Sequence, residues 1–354
     1  MLSVSGPVNM PGNNVMTSIR MEVQYTLCLN MNTPIVSILM PTYEPNPQHL
    51  AEALESLFAQ TEQRWSLFIH DDASKSDVLG MIRPFMNDQR IRFERSAKNL
   101  GIGGNWNACV ERATAPYVQF LFQDDLWGSM HLEKALEALE HNSSAGFVSL
   151  EHLYQYEGGM PVEAYERLRN FRKENVETGL HKGEEFLLWW IRNELHPNVI
   201  GEPPFVMFRK SLLEEVGPFN EEMPQFLDVE YWVRCLQKSD WYYVKEDIGA
   251  FRVHPAAASA RNAASGAGIY DRFTCFEQLI ASLPSGTMRK EAVAARNRAL
   301  STMAWKFFDR IKNKRAVGGK GGGSGVLKKF CVKHPFLTVR AVLLSPWSGP
   351  QKNM

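Results

Sequence analysis

Two apolar runs that end in paired aspartates constrain this chain more than any other feature. Leu67-Phe68-Ile69-His70 runs into Asp71-Asp72, and Val118-Gln119-Phe120-Leu121-Phe122-Gln123 runs into Asp124-Asp125. Each run reads as a buried strand of a parallel sheet, with its acidic pair where the strand leaves the sheet. Ligands of open α/β sheets bind outside the carboxyl ends of the strands. Four carboxylates gathered there repel one another unless something positive lies between them. A divalent cation carrying a diphosphate meets that need, since hard oxygen ligands suit Mg2+ or Mn2+.

The flanking sequence repeats the pattern. Ile35 to Met40 is a short apolar strand closed by Pro41-Thr42-Tyr43, and Pro45 and Pro47 mark a turn. Leu50, Ala53, Leu54, Leu57 and Phe58 then recur at helical spacing. Val78 to Met86 reads as a short helix interrupted by Pro84. Ile91 to Arg95 reads as a polar strand, Asn99 to Gly104 as a glycine-rich turn into a helix through Ala113, and Tyr117 to Phe122 as a strand. A helix through Leu132 and Leu139 and a strand over Gly146 to Leu150 follow. Strand–helix alternation predicts an α/β fold with a mostly parallel, Rossmann-like sheet flanked by helices. Later segments are less regular: helices over Glu184 to Asn193 and Leu227 to Gln237, and strands over Phe205 to Phe208 and Trp241 to Val244. Asp271 to Leu283 and Ala292 to Lys312 read as helices of a C-terminal extension.

The expected organisation is a poorly ordered leader over 1–32, a sheet domain over 33–256, a helical extension over 257–316, and a tail over 317–354. The tail opens on a Gly-rich linker and mixes lysines with Phe330, Phe336 and Leu343. It reads equally as a disordered basic segment and as a peripheral contact for an anionic membrane. Lysine plus arginine balances aspartate plus glutamate, 39 each, which argues against a nucleic-acid partner. The five cysteines are scattered without a C-x-x-C, so a reducing cytoplasm is the simplest location. No apolar run approaches bilayer length.

Several blocks, in order, resemble family 2 glycosyltransferases of the GT-A fold, over roughly 34–255. They are Val36 to Tyr43, Ala53 to Thr61, His70-Asp71-Asp72-Ala73-Ser74, and Asn99-Leu100-Gly101 with Asn107. Gln123-Asp124-Asp125, Val216 to Glu221, Asp228 to Arg234, and Ala250 to His254 follow. The resemblance implies inverting transfer of a sugar from a nucleotide-diphosphate sugar donor to a saccharide or lipid-linked acceptor, with a divalent cation, Mg2+ or Mn2+, in cell-surface polysaccharide or glycoconjugate assembly. Three positions depart from the family's pattern. Phe122 stands where the family often has aspartate, Leu227 replaces an acidic residue before Asp228, and Ala73 stands where glycine is common.

Residues are assigned on the motif and the resemblance together. Asp124 and Asp125 are candidate metal ligands with His254, and Asp124 also serves the donor. The competing reading of Asp125 is a helix N-cap. Asp72 is the candidate for accepting a hydrogen bond from a base N–H, with Pro41, Thr42 and Tyr43 beside it. Turn chemistry with Ser74 is the rival for both aspartates of that pair. Lys98 and Asn99 fall near the nucleotide by the same carry-over, and Lys98 reads equally as a solvated charge. Asp228 is the candidate catalytic base, raised in pKa by apolar neighbours. A helix N-cap is the competing reading of Asp228, Glu230 is its rival as base, and Arg234 either neutralises an anion or lies on the helix surface. Trp189 and Trp190 point in different directions, so at least one belongs to the core. A nucleotidyltransferase and a non-catalytic nucleotide-sugar-binding relic are the alternative functions. The first lacks its glycine-rich phosphate loop after the opening strand.

Overall fold

The computed structural model describes residues 33–160, 162–265 and 270–312, with the isolated positions 332, 335, 336, 339 and 343 beyond them. The leader over 1–32 and almost all of the tail lie outside the described residues. Val332, Phe336, Val339 and Leu343 are helical and exposed.

An eight-stranded sheet forms the centre, in the order β3-β2-β1-β4-β9-β6-β10-β8. The strands are β1 (Val36–Thr42), β2 (Trp65–Asp71), β3 (Ile91–Arg95), β4 (Tyr117–Phe120), β6 (Ala145–Leu150), β8 (Gly179–His181), β9 (Val206–Arg209) and β10 (Asp240–Val244). β3, β2, β1 and β4 run parallel, as the alternation requires. β9 inserts antiparallel between β4 and β6, and β8 closes the far edge antiparallel to β10. A second sheet of three short strands stands beside the first: β5 (Leu126–Trp127), β11 (Gly249–Val253) and β7 (Leu153–Tyr156). The sequence reading lacked it, because strands of two to five residues carry too little periodicity to register.

Side-chain alternation sorts the core into two layers. Val36, Ile38 and Met40 of β1 face one hydrophobic cluster, and Leu39 faces the other. The first layer is covered by α1 (Pro47–Phe58), α2 (Val78–Ile82) and α4 (His131–His141). Asn46 caps α1 by accepting from the N–H groups of Gln48 (2.9 Å) and His49 (3.2 Å). Pro47 therefore opens this helix instead of marking a loop. α2 gives way to a 3-10 turn over Arg83–Phe85, where Pro84 removes a donor.

The opposite layer holds α3 (Gly101–Val110), α6 (Gly183–Arg192), α7 (Lys210–Val216) and α8 (Leu227–Leu236). α10 (Asp271–Ser282) and α11 (Thr287–Lys312) pack on α8 and α6. Cys275, Phe276, Leu279, Ala292 and Ala295 enter the same apolar cluster as Trp190 and Leu236. The C-terminal helices and the sheet thus share one core.

α5 (Glu163–Asn175) escaped the sequence reading because most of its residues are charged or polar. A buried ion pair holds it, beside Tyr165 and Phe171, whose rings pack on Tyr154 and Trp189. Arg172 forks onto Glu151 at the end of β6, with both side chains essentially inaccessible. Tyr243 donates to the same carboxylate at 2.6 Å. Burial pushes Glu151 upward, but Arg172 outweighs it and holds the carboxyl at about 2. Removing one partner of such a pair leaves an uncompensated buried charge, worth about 3–5 kcal/mol. Arg172→Met is expected to lower the unfolding free energy by about that amount, measured as a drop in the urea midpoint.

Candidate functional site

The carboxyl ends of β1, β2 and β4 open into a cavity of about 1420 Å3. Pro41, Thr42, Tyr43, Asp72, Asn99, Asp124, Asp228 and His254 all line it. Lys98 and Asp125 do not: Lys98 is exposed outside the wall, and Asp125 is buried behind it.

The two acidic pairs do not converge on one point, because the fold partners three of the four carboxylates. Asp71 ends β2 fully buried, where it accepts from Ser74 and pairs with Arg95 at 3.2 Å. Asp72 uses both oxygens on the glycine turn, accepting from the N–H groups of Leu100 (2.6 Å) and Gly101 (3.0 Å) at the start of α3. An anion there suits the positive helix end. Ala73 between the pair and Ser74 takes φ +57°, the left-handed region, which explains the glycine common at this position. Asp125 accepts from the Arg252 N–H at 2.9 Å, and its other oxygen has no hydrogen-bond partner among the described residues. Burial, with the neighbouring Asp124 charge, pushes its carboxyl well above the usual range. Neither aspartate of this second pair caps a helix, since β5 and a turn precede α4.

Asp124 alone of the four faces the cavity paired with a histidine. β4 stops at Phe120, two residues earlier than expected, and the chain turns so that Asp124 Oδ2 lies 2.9 Å from His254 Nε2 at the end of β11. Arg252 fixes this turn. It is nearly inaccessible, and its side chain donates to the Asp124 carbonyl (2.9 Å), Glu157 (2.9 Å) and Glu52 (2.6 Å). Gln123 locks the turn to the exit of β1. Its Oε1 accepts from the Tyr43 N–H at 2.9 Å and its Nε2 donates to the Tyr43 carbonyl at 3.3 Å. Phe122 packs its ring on Trp106 at 5.1 Å and adds an apolar patch to the wall.

A divalent cation fits this place as a partial shell. Asp124 and His254 offer an oxygen and a nitrogen side by side, and Mg2+ or Mn2+ bound to phosphates keeps few protein ligands. Among the described residues no set of three or more His, Cys, Asp or Glu is arranged around a single ion position.

Asp228 sits in the first turn of α8, across the cavity. Asn198 donates to its Oδ2 at 2.8 Å, and its Oδ1 accepts from the Val229 N–H at 2.8 Å. Burial is the largest influence and pushes the carboxyl up to about 7. The Val229 N–H pulls it down, and the charge of Glu202 adds to the rise. Phe226, not Asp228, occupies the capping position of α8. The rival Glu230 is buried away from the cavity in a two-pronged pair with Arg234, at 2.7 and 2.9 Å. Arg234 thereby serves the helix and not an anion. Trp190 is core, donating to the Pro197 carbonyl, and Trp189 packs on Phe171 and Phe186.

Two cavity residues, Asn198 and Glu202, went unnoticed in the sequence. They share a loop whose prolines signalled only a break. Glu202 pairs with buried His152 at 2.7 Å and accepts from Tyr154 at 2.9 Å. Burial raises its carboxyl, but His152, Arg172 and Tyr154 outweigh that and hold it at about 2.

Comparison with known proteins agrees with this arrangement. The model of glycosyl transferase family 2 matches residues 37–217. An uncharacterized glycosyltransferase of Methanocaldococcus jannaschii is 24% identical over 221 residues, 62% of this chain and 70% of that protein. A UDP-Glc:alpha-D-GlcNAc-diphosphoundecaprenol beta-1,3-glucosyltransferase of Escherichia coli is 29% identical over 114 residues, 32% of this chain and 44% of that protein. In fold the chain is similar to TarS of S. aureus in complex with UDP-GlcNAc (TM-score 0.58, 15% identity, 86% of this chain and 79% of that one). It is similar too to the mannosyltransferase PcManGT of Pyrobaculum calidifontis in complex with GDP-Man and Mn2+ (TM-score 0.54, 15% identity, 94% and 97%). A cavity at the ends of parallel strands, bordered by the Gln123-Asp124-Asp125 turn and a raised carboxyl, accompanies a family match over half the sequence: the chain belongs to glycosyl transferase family 2.

Proposed function

We propose that the protein is an inverting glycosyltransferase that uses a divalent cation, Mg2+ or Mn2+, to move a sugar from a nucleotide-diphosphate donor to a hydroxyl of a saccharide or lipid-linked acceptor in polysaccharide or glycoconjugate assembly. The observation that carries this reading is the pairing, across one cavity, of Asp124–His254 with a half-buried Asp228 whose carboxyl is raised to about 7. A carboxyl with a pKa close to working pH is suited to general-base catalysis. The alternatives of a nucleotidyltransferase and a relic have no comparable observation in their favour.

The donor's nucleoside lies against Tyr43, Asp72 and Asn99, and its diphosphate extends toward Asp124 and His254. A cation held by those two residues would neutralise charge that builds on the diphosphate as it leaves. Asp228 takes the proton of the acceptor hydroxyl as that oxygen bonds to the sugar's anomeric carbon. The bond to the diphosphate breaks on the opposite side, its electron pair departing with the nucleotide, and the anomeric configuration inverts. Asn198 holds one oxygen of Asp228 so that the carboxylate keeps its orientation during the transfer. Among the described residues no helix is long and apolar enough to cross a membrane. We place the enzyme in the cytoplasm, with peripheral membrane contact through its basic tail. The exposed Val332, Phe336, Val339 and Leu343 support that contact.

Asp228→Asn is expected to lower kcat by about 10²–10⁴-fold with UDP binding retained. In the parent enzyme kcat/KM should fall tenfold per unit as pH drops below about 7, the point where Asp228 protonates. That limb should vanish from the variant's residual rate.

The same carboxyl sets a stability difference. Its folded pKa lies above the ordinary aspartate value of about 4, so its contribution is fully present below that pH and is lost as pH rises through about 7. Asp228→Asn should therefore melt higher than the parent at pH 8, and the advantage should shrink toward pH 4 in thermal-shift scans.

Chelation by EDTA should stop transfer, and added Mn2+ should restore it. Asp124→Asn should weaken Mn2+ binding in the presence of UDP, read by electron paramagnetic resonance independently of turnover. Full activity in chelator would reject the metal role.

A further inference from the structure

The cavity extends well past the donor residues. Beyond Asp228 its wall is built by α5, the loop around His196, and α9 (Ala258–Ser265). α5 and α9 meet through a hydrogen bond between the side chains of Tyr165 and Ser259. Each helix sends an arginine to the lining, Arg167 from α5 and Arg261 from α9. Both are exposed, and among the described residues neither guanidinium has a carboxylate partner. The other two arginines of α5 are committed to the fold, Arg169 to Asp247 and Arg172 to Glu151. Half-buried apolar side chains stand beside the free pair: Tyr165, Leu168, Phe171 and Phe226. Glu174 shares the wall, so the attraction for an anion is local to the two guanidiniums and not spread along the helix.

We propose that this arm is the acceptor subsite and that it takes an acceptor bearing an anionic group, gripped by Arg167 and Arg261, next to an apolar portion covered by Tyr165, Leu168 and Phe171. The proposal rests on the reading of Asp228 as base, which makes the adjoining arm the side from which the hydroxyl arrives. Guanidinium groups hold phosphate and carboxylate oxygens in a planar, two-pronged fashion. Two free ones at the mouth of a cleft also raise the local concentration of an anion. Arginine beside aromatic and aliphatic surface matches a diphosphate joined to a hydrocarbon chain. A uronate-bearing glycan presents the same charge without the chain.

The test is titration calorimetry on the full chain saturated with UDP and Mn2+, with farnesyl diphosphate as the probe. Saturable binding that leaves UDP in place is expected. It should weaken at least tenfold in Arg167→Gln/Arg261→Gln, a variant whose exposed substitutions should leave the melting temperature and the UDP affinity unchanged. A second arm uses trigalacturonate. Preference for this probe, with the same dependence on both arginines, would identify a charged glycan as the source and equally support the subsite. Displacement of UDP by the probe, binding of neither probe, or unchanged affinity in the double variant would overturn the proposal. If UDP itself fails to bind the parent protein, the donor reading falls. The titration without nucleotide then decides the arm by the same arginine dependence.

Discussion

One buried guanidinium holds the reactive end of this molecule together. Arg252 leaves the middle of a short strand and ties three separate stretches to itself: the Asp124–Asp125 turn, the first helix through Glu52, and the end of β7 through Glu157. A charge this inaccessible is tolerable only when fully partnered. The partners are therefore drawn to fixed positions, and the small second sheet is pinned against the large one. The Asp124–His254 contact follows from this, since the two residues flank the Arg252 fork. His49 joins the same cluster by pairing with Glu157 at 3.1 Å and setting its ring edgewise to His254 at 5.5 Å.

Across the cavity the logic is reversed. Asp228 and Glu202 are both half-buried carboxyls on one wall, yet their proton affinities are driven apart, to about 7 and about 2. The difference lies in neighbours: Glu202 has His152, Tyr154 and Arg172, while Asp228 has amides alone. Environments that split two carboxyls in this way separate a proton acceptor from a permanent anion. The loop of Asn198, Gly201 and Glu202 links them, with Asn198 donating both to Asp228 and to the Gly201 carbonyl.

The parallel half of the sheet was legible in the chain because apolar runs of five to seven residues ended at turn residues. The acidic pairs likewise announced which end of the sheet carries chemistry. What they did not announce was their division of labour. Asp71, Asp72 and Asp125 are absorbed by backbone amides, by Arg95 and by Ser74, and of these only the Ser74 turn is written in the local sequence. Asp228 was singled out by the family resemblance, since its local sequence reads equally as a helix cap, and Glu230 was separated from it by the Arg234 pair. The strand over Phe205 to Phe208 was read from the sequence, but its antiparallel insertion as β9, the three short strands and α5 were not, since these depend on tertiary contacts more than on periodicity. Asn198 and Glu202 were hidden by lying in an irregular loop that only the assembled fold brings to Asp228.

The way α5 is attached has an evolutionary consequence. α5 is secured by Arg172 on Glu151, by Arg169 and Lys173 on Asp247, and by Tyr165 and Phe171 packed on Tyr154 and Trp189, and Arg167 belongs to none of these anchors. Substitution of the exposed Arg167 is therefore buffered from the folding of the sheet, so this position of the cavity wall can change while the sheet stays constant. A scaffold of that kind can alter the charge of its cavity wall without rebuilding the helix that carries it.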